Sequence, residues 1–387
     1  MFLSLALIIV LSISLYSIFD KVKLPGLLAF LITGIILGPF VLDLINSDIL
    51  NISADLRKIA LVVILIRAGL SLDINDLKAV GRPAILLSFL PAMFEIVLIG
   101  VLAPLLFDIT SIEAFILGSV IAAVSPAVIV PRMIHFIESK RGTEQKIPQL
   151  VLASSSIDDI FVIIVFTIFL QIYESNNFEV GQLFLLPLSL ILGILSGLLL
   201  GAFLVFLFKK IHLRDTLKVL ILFAVSFFLI VLEDYIPISG LLAIITLGIT
   251  VLSLYPILAD RLTSKFSKIW VMAEMMLFVL IGSAVDIRLF TTIGLLAILL
   301  IFIGLIFRMF GVALSISKTQ FNLKEKLFIS FSFIPKATVQ AAIGAIPLSL
   351  GIPGGELILA ISVLSIFLTA PIGAILIDQT AHKLLQK

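Results

Sequence analysis

The chain has 387 residues, of which 61% are hydrophobic and 13% charged, with a formal net charge of +2 and a mean hydropathy of +1.31. A soluble globular domain carries roughly one-quarter charged residues, so this composition excludes one and describes a polytopic membrane protein. The charge balance gives no basis for nucleic-acid binding, and with no cysteine there is no disulfide framework.

A membrane span needs about 20 mostly apolar residues. In chain order the sequence predicts thirteen: 1–18, 24–42, 56–72, 83–107, 112–134, 148–173, 181–208, 214–232, 236–257, 268–285, 289–316, 325–349 and 355–381. The expected fold class is therefore all-α, with little chain left for a soluble domain. Met1 to Val10 is apolar from its start and lacks a basic leader, so it reads as the first span rather than a cleaved signal. Lys and Arg concentrate in short cytoplasmic loops. Twenty of the 26 lie at the C-terminus or in connections that leave odd-numbered spans, Lys78, Arg261, Lys265, Lys268 and Lys387 among them. Only Arg57, Lys58 and Arg288 lie in connections that leave even-numbered spans. This asymmetry predicts an outside N-terminus and an inside C-terminus in the cytoplasmic membrane, with membrane lipids, anionic at the inner face, as neighbours of the basic loops. The other three cations, Arg67, Arg308 and Lys336, fall inside spans.

The second span contains PGLLAFLITGI (25–35) and the ninth SGLLAIITLGI (239–249), an offset of 214. GLSLDI (69–74) and GSAVDI (282–287) end the third and tenth spans at an offset of 213. Seven spans separate the copies, an odd number, so the second enters the membrane from the opposite side. Inverted repeats are a signature of secondary transporters, whose binding site lies near the midplane where the repeats meet. The same offset carries Arg308 back to Glu95. An acid and a base at equivalent positions are expected to face each other, and reversing both charges is expected to restore folding better than reversing either.

An ionised residue at the centre of a span costs about 2.5–3.5 kcal/mol on insertion scales, which makes Glu95, Asp158, Asp159, Arg308 and Lys336 the functional candidates. AVSPAVIVP (123–131) and IPKATVQAAIGAIP (334–347) put prolines inside the fifth and twelfth spans. Proline removes a backbone donor and drives the preceding residue out of helical geometry. Two crossing discontinuous helices at mid-depth are expected, with the string LASSSIDDIFVIIVF (152–166) beside them. Neighbours in a helix diverge by about 100°, so Asp158 and Asp159 face different partners, with Ser154 and Ser155 one turn below. A carboxylate, a hydroxyl and freed carbonyls make an all-oxygen site suited to a hard cation. The same carboxylate takes a proton instead, and competition for one acid is the simplest device for antiport. Lys336 is either a titratable cation or, the favoured reading, a charge that compensates the helix ends at the crossing.

SSSIDDI, VSPAVIVP and IPKATVQAAIG on thirteen spans resemble the monovalent cation:proton antiporters, most nearly their NHA-type branch. The resemblance implies an antiporter, not an enzyme, with no cofactor beyond transported Na+ or Li+ and H+. It implies a homodimer in which a core transport domain (83–173 and 289–387) moves as an elevator against a dimerisation domain (1–72 and 214–285), with 181–208 as linker. It makes Asp159 the ion- and proton-carrying acid, Asp158 its companion, and Ser155 and the backbone at Val124 and Ser125 the supporting ligands, the two aspartates holding the metal cation. Arg308, Glu95 and Lys336 then compensate charge. Ser125 and Arg308 depart from the acid and the lysine that many members carry there, and arginine cannot release a proton at working pH. K+/H+ exchange is the alternative within the class; a symporter or a channel on the same plan is a further one.

Overall fold

The structure, a computed structural model, describes residues 1–71, 81–174, 180–233 and 235–386, and of residues 180–187 the backbone alone. Lys78, Lys387 and the Leu72 to Ile74 part of the second repeat string lie outside the described residues. What is described is helical. Nine helices among the described residues are long and apolar enough to cross a membrane, and Leu27–Leu37, Gly240–Leu254 and Thr338–Ser349 are shorter apolar segments. Outward side chains such as Leu105, Leu199, Leu295 and Ile306 are apolar and largely exposed, as expected of helices whose outer face meets lipid.

The chain forms two compact units, Met1–Arg57, Asp76–Val162 and Met275–Lys387 in the first, and Lys58–Asn75 and Ile163–Glu274 in the second. The helices begin with α1 (Phe2–Lys21), α2 (Leu27–Leu37), α3 (Ser47–Asn51) and α4 (Ser53–Ser71). Helix α2 stops well before residue 42 because Gly38 precedes Pro39 and is pushed to extended geometry (φ −71°, ψ 172°). The predicted span 83–107 is two helices, α5 (Arg82–Leu87) and α6 (Leu90–Leu106), stepping at Ser88 and Phe89, with Pro91 in the first turn of α6. The predicted span 112–134 is α7 (Ser111–Ala122) and α8 (Pro126–Glu138), and Pro131 lies inside α8 without ending it. Then come α9 (Ile147–Glu174), α10 (Val180–Lys210), α11 (Asp215–Leu232) and α12 (Gly240–Leu254).

Helix α13 (Pro256–Ala284) corrects the placement of Arg261, Lys265 and Lys268, which stand on it and not in a connection. Pro256 occupies its first position, where a missing N–H costs nothing, and the helix runs on past the apolar stretch. After α14 (Leu289–Ser315), the predicted span 325–349 resolves into α15 (Leu323–Ser332), α16 (Thr338–Ile343) and α17 (Ile346–Ser349). Helix α18 (Gly355–Leu384) closes the chain.

In the first unit α6 packs against α7 and α14, and α15 against α18. A buried apolar cluster joins α8, α9, α15 and α18 through Met133, Leu150, Phe328 and Ile377, with Phe333 and Leu385 at the ends of the last two. Helices α2 and α13 approach so closely that a Cβ on Gly34 would stand 2.0 Å from the Val279 carbonyl oxygen, and one on Gly282 2.2 Å from that of Leu31. In the second unit α4 and α12 meet the same way, with a Cβ on Gly69 falling 2.4 Å from the Ile245 oxygen and one on Gly248 2.9 Å from Gly69.

Candidate functional site

Two interrupted helices position the site. Helix α7 starts from a reciprocal cap in which Thr110 and Glu113 each bond the other's backbone N–H. It ends at Ala122; Ala123 (φ −67°, ψ 146°) and Ser125 (φ −92°, ψ 107°) are extended before Pro126 opens α8. Helix α15 starts from the same kind of cap on Asn322 and Glu325. It ends at Ser332, and Ala337 (φ −163°, ψ −74°) leads into α16. The interruptions meet where the Ser125 N–H donates to the Pro335 carbonyl at 2.8 Å.

The backbone groups freed by the breaks explain the buried cations. In an unbroken helix the Ala122 carbonyl would accept from residue 126, but Pro126 has no N–H. The Arg308 Nη1 donates to it instead. The Ile121 carbonyl would accept from Ser125, whose N–H is committed to Pro335; Lys336 Nζ (2.7 Å) and Gln340 Nε2 (3.0 Å) replace it. The Gln340 amide also donates to Ala123 at 2.6 Å. At the end of α15 the Phe333 carbonyl receives Arg308 Nε at 2.9 Å. Helix ends carry partial negative charge on such carbonyls, so cations belong there.

The acids complete the network. Glu95 and Arg308, 213 residues apart, face each other, Nη1 lying 3.1 Å from Oε2. Lys336 Nζ lies against both Glu95 oxygens, 2.7 Å from Oε1 and 2.9 Å from Oε2. Arg308 Nη2 donates to Asp158 Oδ2 at 2.9 Å, and the Val124 N–H reaches the same oxygen at 2.9 Å. Arg308 thus spans two acids and two carbonyls with one planar fork, which a lysine ammonium cannot do. Glu95, Asp158, Arg308 and Lys336 are all fully buried, and an ion buried unpaired would cost several kcal/mol; within this set two cations meet two anions.

Asp159 stands apart. It is 8% exposed, and it forms no ion pair or hydrogen bond with a described residue, its Oδ1 being buried without a partner. Asp158 Oδ1, Ser125 Oγ, Thr338 Oγ1 and Gln340 Oε1 are likewise buried and without partners among the described residues. The Ser155 hydroxyl donates to the Leu152 carbonyl at 3.1 Å and that of Ser154 to Leu150 at 2.6 Å, leaving their lone pairs to accept. The structure therefore ties Asp158, Val124, Ser125, Arg308, Glu95 and Lys336 into one set of contacts, holds Asp158 by one oxygen, and leaves Asp159 outside it. Gln340 and Thr338 were not singled out from the sequence; the signal for both was polarity within an otherwise apolar stretch just after Pro335. No three His, Cys, Asp or Glu side chains gather into a resident metal centre among the described residues.

Interrupted helices joined at their breaks, a neutralised charge cluster between them and one acid left over beside it make up the candidate site. Residues 7–383 match the family model described as "Sodium/hydrogen exchanger, transmembrane", and the chain belongs to the sodium/hydrogen exchanger family. It is 34% identical over 381 residues to human sodium/hydrogen exchanger 9B2, covering 94% of this chain and 70% of that one. To human sodium/hydrogen exchanger 9B1 it is 30% identical over 377 residues, covering 94% and 73%. The sodium proton antiporter MjNhaP1 from Methanocaldococcus jannaschii shares the fold with a TM-score of 0.83 at 21% identity, covering 98% of this chain and 97% of that one. Family and fold together support cation/proton antiport by a multi-pass membrane protein.

Proposed function

We propose that the protein exchanges Na+, and Li+, for H+ across the cytoplasmic membrane, with Asp159 as the carrier. One observation carries this reading: of the buried charges around the breaks, Asp159 alone has no counter-ion among the described residues. A lone buried anion is expensive, so it is cancelled by a bound cation or by a proton, and the two compete. Asp158 Oδ1, the Ser125 and Ser155 hydroxyls and the carbonyls near Val124 are the oxygens that complete the cation's shell, with both aspartates facing the metal. Because Glu95, Asp158, Arg308 and Lys336 already balance, one monovalent cation for one proton leaves the moving charge unchanged.

The names of the relatives, sodium/hydrogen exchangers, support sodium as the cation. The transport cycle is an elevator motion of the core (83–173 and 289–387) against a dimerisation domain (1–72 and 214–285) joined by 181–208, in a homodimer whose N-terminus is outside and C-terminus inside. The nine long helices, α4 and the three shorter apolar segments, counted among the described residues, support the reading of thirteen spans in an inverted repeat. So do the two reciprocal caps, 212 residues apart. The glycine contacts follow the offsets of the repeat strings, since Gly34 corresponds to Gly248, 214 residues on, and Gly69 to Gly282, 213 residues on.

The test is transport in proteoliposomes followed with a pH dye, adding Na+, Li+ and K+ in turn. Wild type is expected to move protons on addition of Na+ or Li+, and Asp159→Asn is expected to move none. An Asn variant as active as wild type removes Asp159 as the carrier; a response to K+ alone replaces the sodium assignment.

A further inference from the structure

The charge cluster and the aspartates leave two buried polar side chains of IPKATVQAAIG unaccounted for, Thr338, whose Oγ1 has no partner among the described residues, and Gln340. Gln340, on α16, donates from a single amide nitrogen to two carbonyls of the other interrupted helix, Ile121 and Ala123. The two carbonyls differ in what else holds them. Ile121 also receives Lys336 Nζ, whereas for Ala123 the Gln340 amide is the one donor among the described residues. The amide cannot be reversed, because turning it would set Oε1 against two carbonyl oxygens. Three consecutive residues of the break are therefore tethered by three different elements: the Ala123 carbonyl by Gln340, the Val124 N–H by Asp158 and the Ser125 N–H by Pro335.

We propose that Gln340 is a positioning residue for the cation step: by anchoring Ala123 it fixes the Ala123 to Ser125 backbone at the spacing a dehydrated cation requires. The inference rests on the antiport reading with Asp159 as carrier. A cation needs several oxygens at set distances at once, whereas a proton needs one carboxylate oxygen. Loosening this segment therefore weakens cation binding and leaves protonation of Asp159 unchanged. The chain still folds, because Lys336 and Arg308 continue to cap the end of α7.

The experiment compares Gln340→Leu and Gln340→Asn with wild type in proteoliposomes, measuring apparent KM for Na+ and Li+, maximal rate, and the pH midpoint with the cation held at the same multiple of each protein's own KM. Melting of the purified protein is followed in parallel. Gln340→Leu is expected to raise both KM values about tenfold, the change one ordinary hydrogen bond supports, with maximal rate and pH midpoint held. Gln340→Asn, which keeps the amide but shortens its reach, is expected to fall between, and it carries the test if the Leu variant does not fold. Unchanged KM values overturn the inference, as does a pH midpoint that moves with KM, or a fall in maximal rate alone. If wild type shows no cation-driven proton movement, the antiport reading falls and this inference with it. If wild type exchanges, Asp159→Asn does not, and the Gln340 variants keep wild-type KM, the inference alone falls.

Discussion

Exchanging the charges of Glu95 and Arg308 separates the reading of an isolated pair from the network the structure contains. For an isolated pair, the double reversal restores the attraction and therefore the fold. Here Arg308 also meets Asp158 at 2.9 Å, and Glu95 also meets Lys336 at 2.7 Å, so wild type has three attractive contacts. Glu95→Arg keeps the attraction between Arg308 and Asp158 and makes two repulsions. Arg308→Glu keeps that between Lys336 and Glu95 and also makes two. The double variant recovers the central attraction yet sets the new arginine on Lys336 and the new glutamate on Asp158, again one attraction against two repulsions. Two unit charges 4 Å apart interact by about 4 kcal/mol at an effective dielectric of 20, so turning two contacts from attraction to repulsion rivals a whole folding stability of about 5–15 kcal/mol. Every variant that lacks Arg308 also strands the Ala122 and Phe333 carbonyls, at about 1–3 kcal/mol each. The assay is thermal melting in detergent followed by size-exclusion fluorescence. The double variant is expected to melt no higher than Glu95→Arg. A double variant that melts near wild type and well above both singles would refute the network account and reinstate the isolated pair.

Other outcomes follow from packing and capping. Gly34→Ala drives a Cβ into the Val279 backbone, and because backbone cannot step aside the overpacking is expected to cost about 1–3 kcal/mol, read as a lower melting temperature. Gly294→Ala is the contrast: its Cβ would find its nearest neighbour, Phe290 Cβ, at 3.9 Å, so the gain in helix propensity, about 0.5–1 kcal/mol, is expected to raise the melting temperature. Thr110→Ala removes the hydroxyl that caps α7 and is expected to cost about 0.5–2 kcal/mol; a melt indistinguishable from wild type would mean the cap contributes nothing.

The all-helical, membrane-spanning character, the interruptions at Pro126 and Pro335 and the buried acids and cations were readable in the sequence, because each is a local property: apolar length, a missing N–H, a charge where charge is costly. The pairing of Glu95 with Arg308 came from the repeat offset, which is also information within the chain. The places where spans start were less readable. Pro256 extends α13 beyond its apolar run, and Gly38 before Pro39 shortens α2, because end geometry overrides hydropathy. Lys336 was assigned to the helix ends at the crossing, and its Nζ does meet the Ile121 carbonyl; that it also meets Glu95 was not anticipated.

By itself, then, the sequence determined which groups are embedded and where the backbone must break, since a bilayer penalises charge and unpaired amides wherever they fall in the chain. Which acid stays uncompensated was decided only by the tertiary structure. Asp158 and Asp159 are adjacent and chemically identical, and about 100° of helix rotation, set by how α9 lies against the two interruptions, gives the first an arginine and a backbone N–H and leaves the second without either.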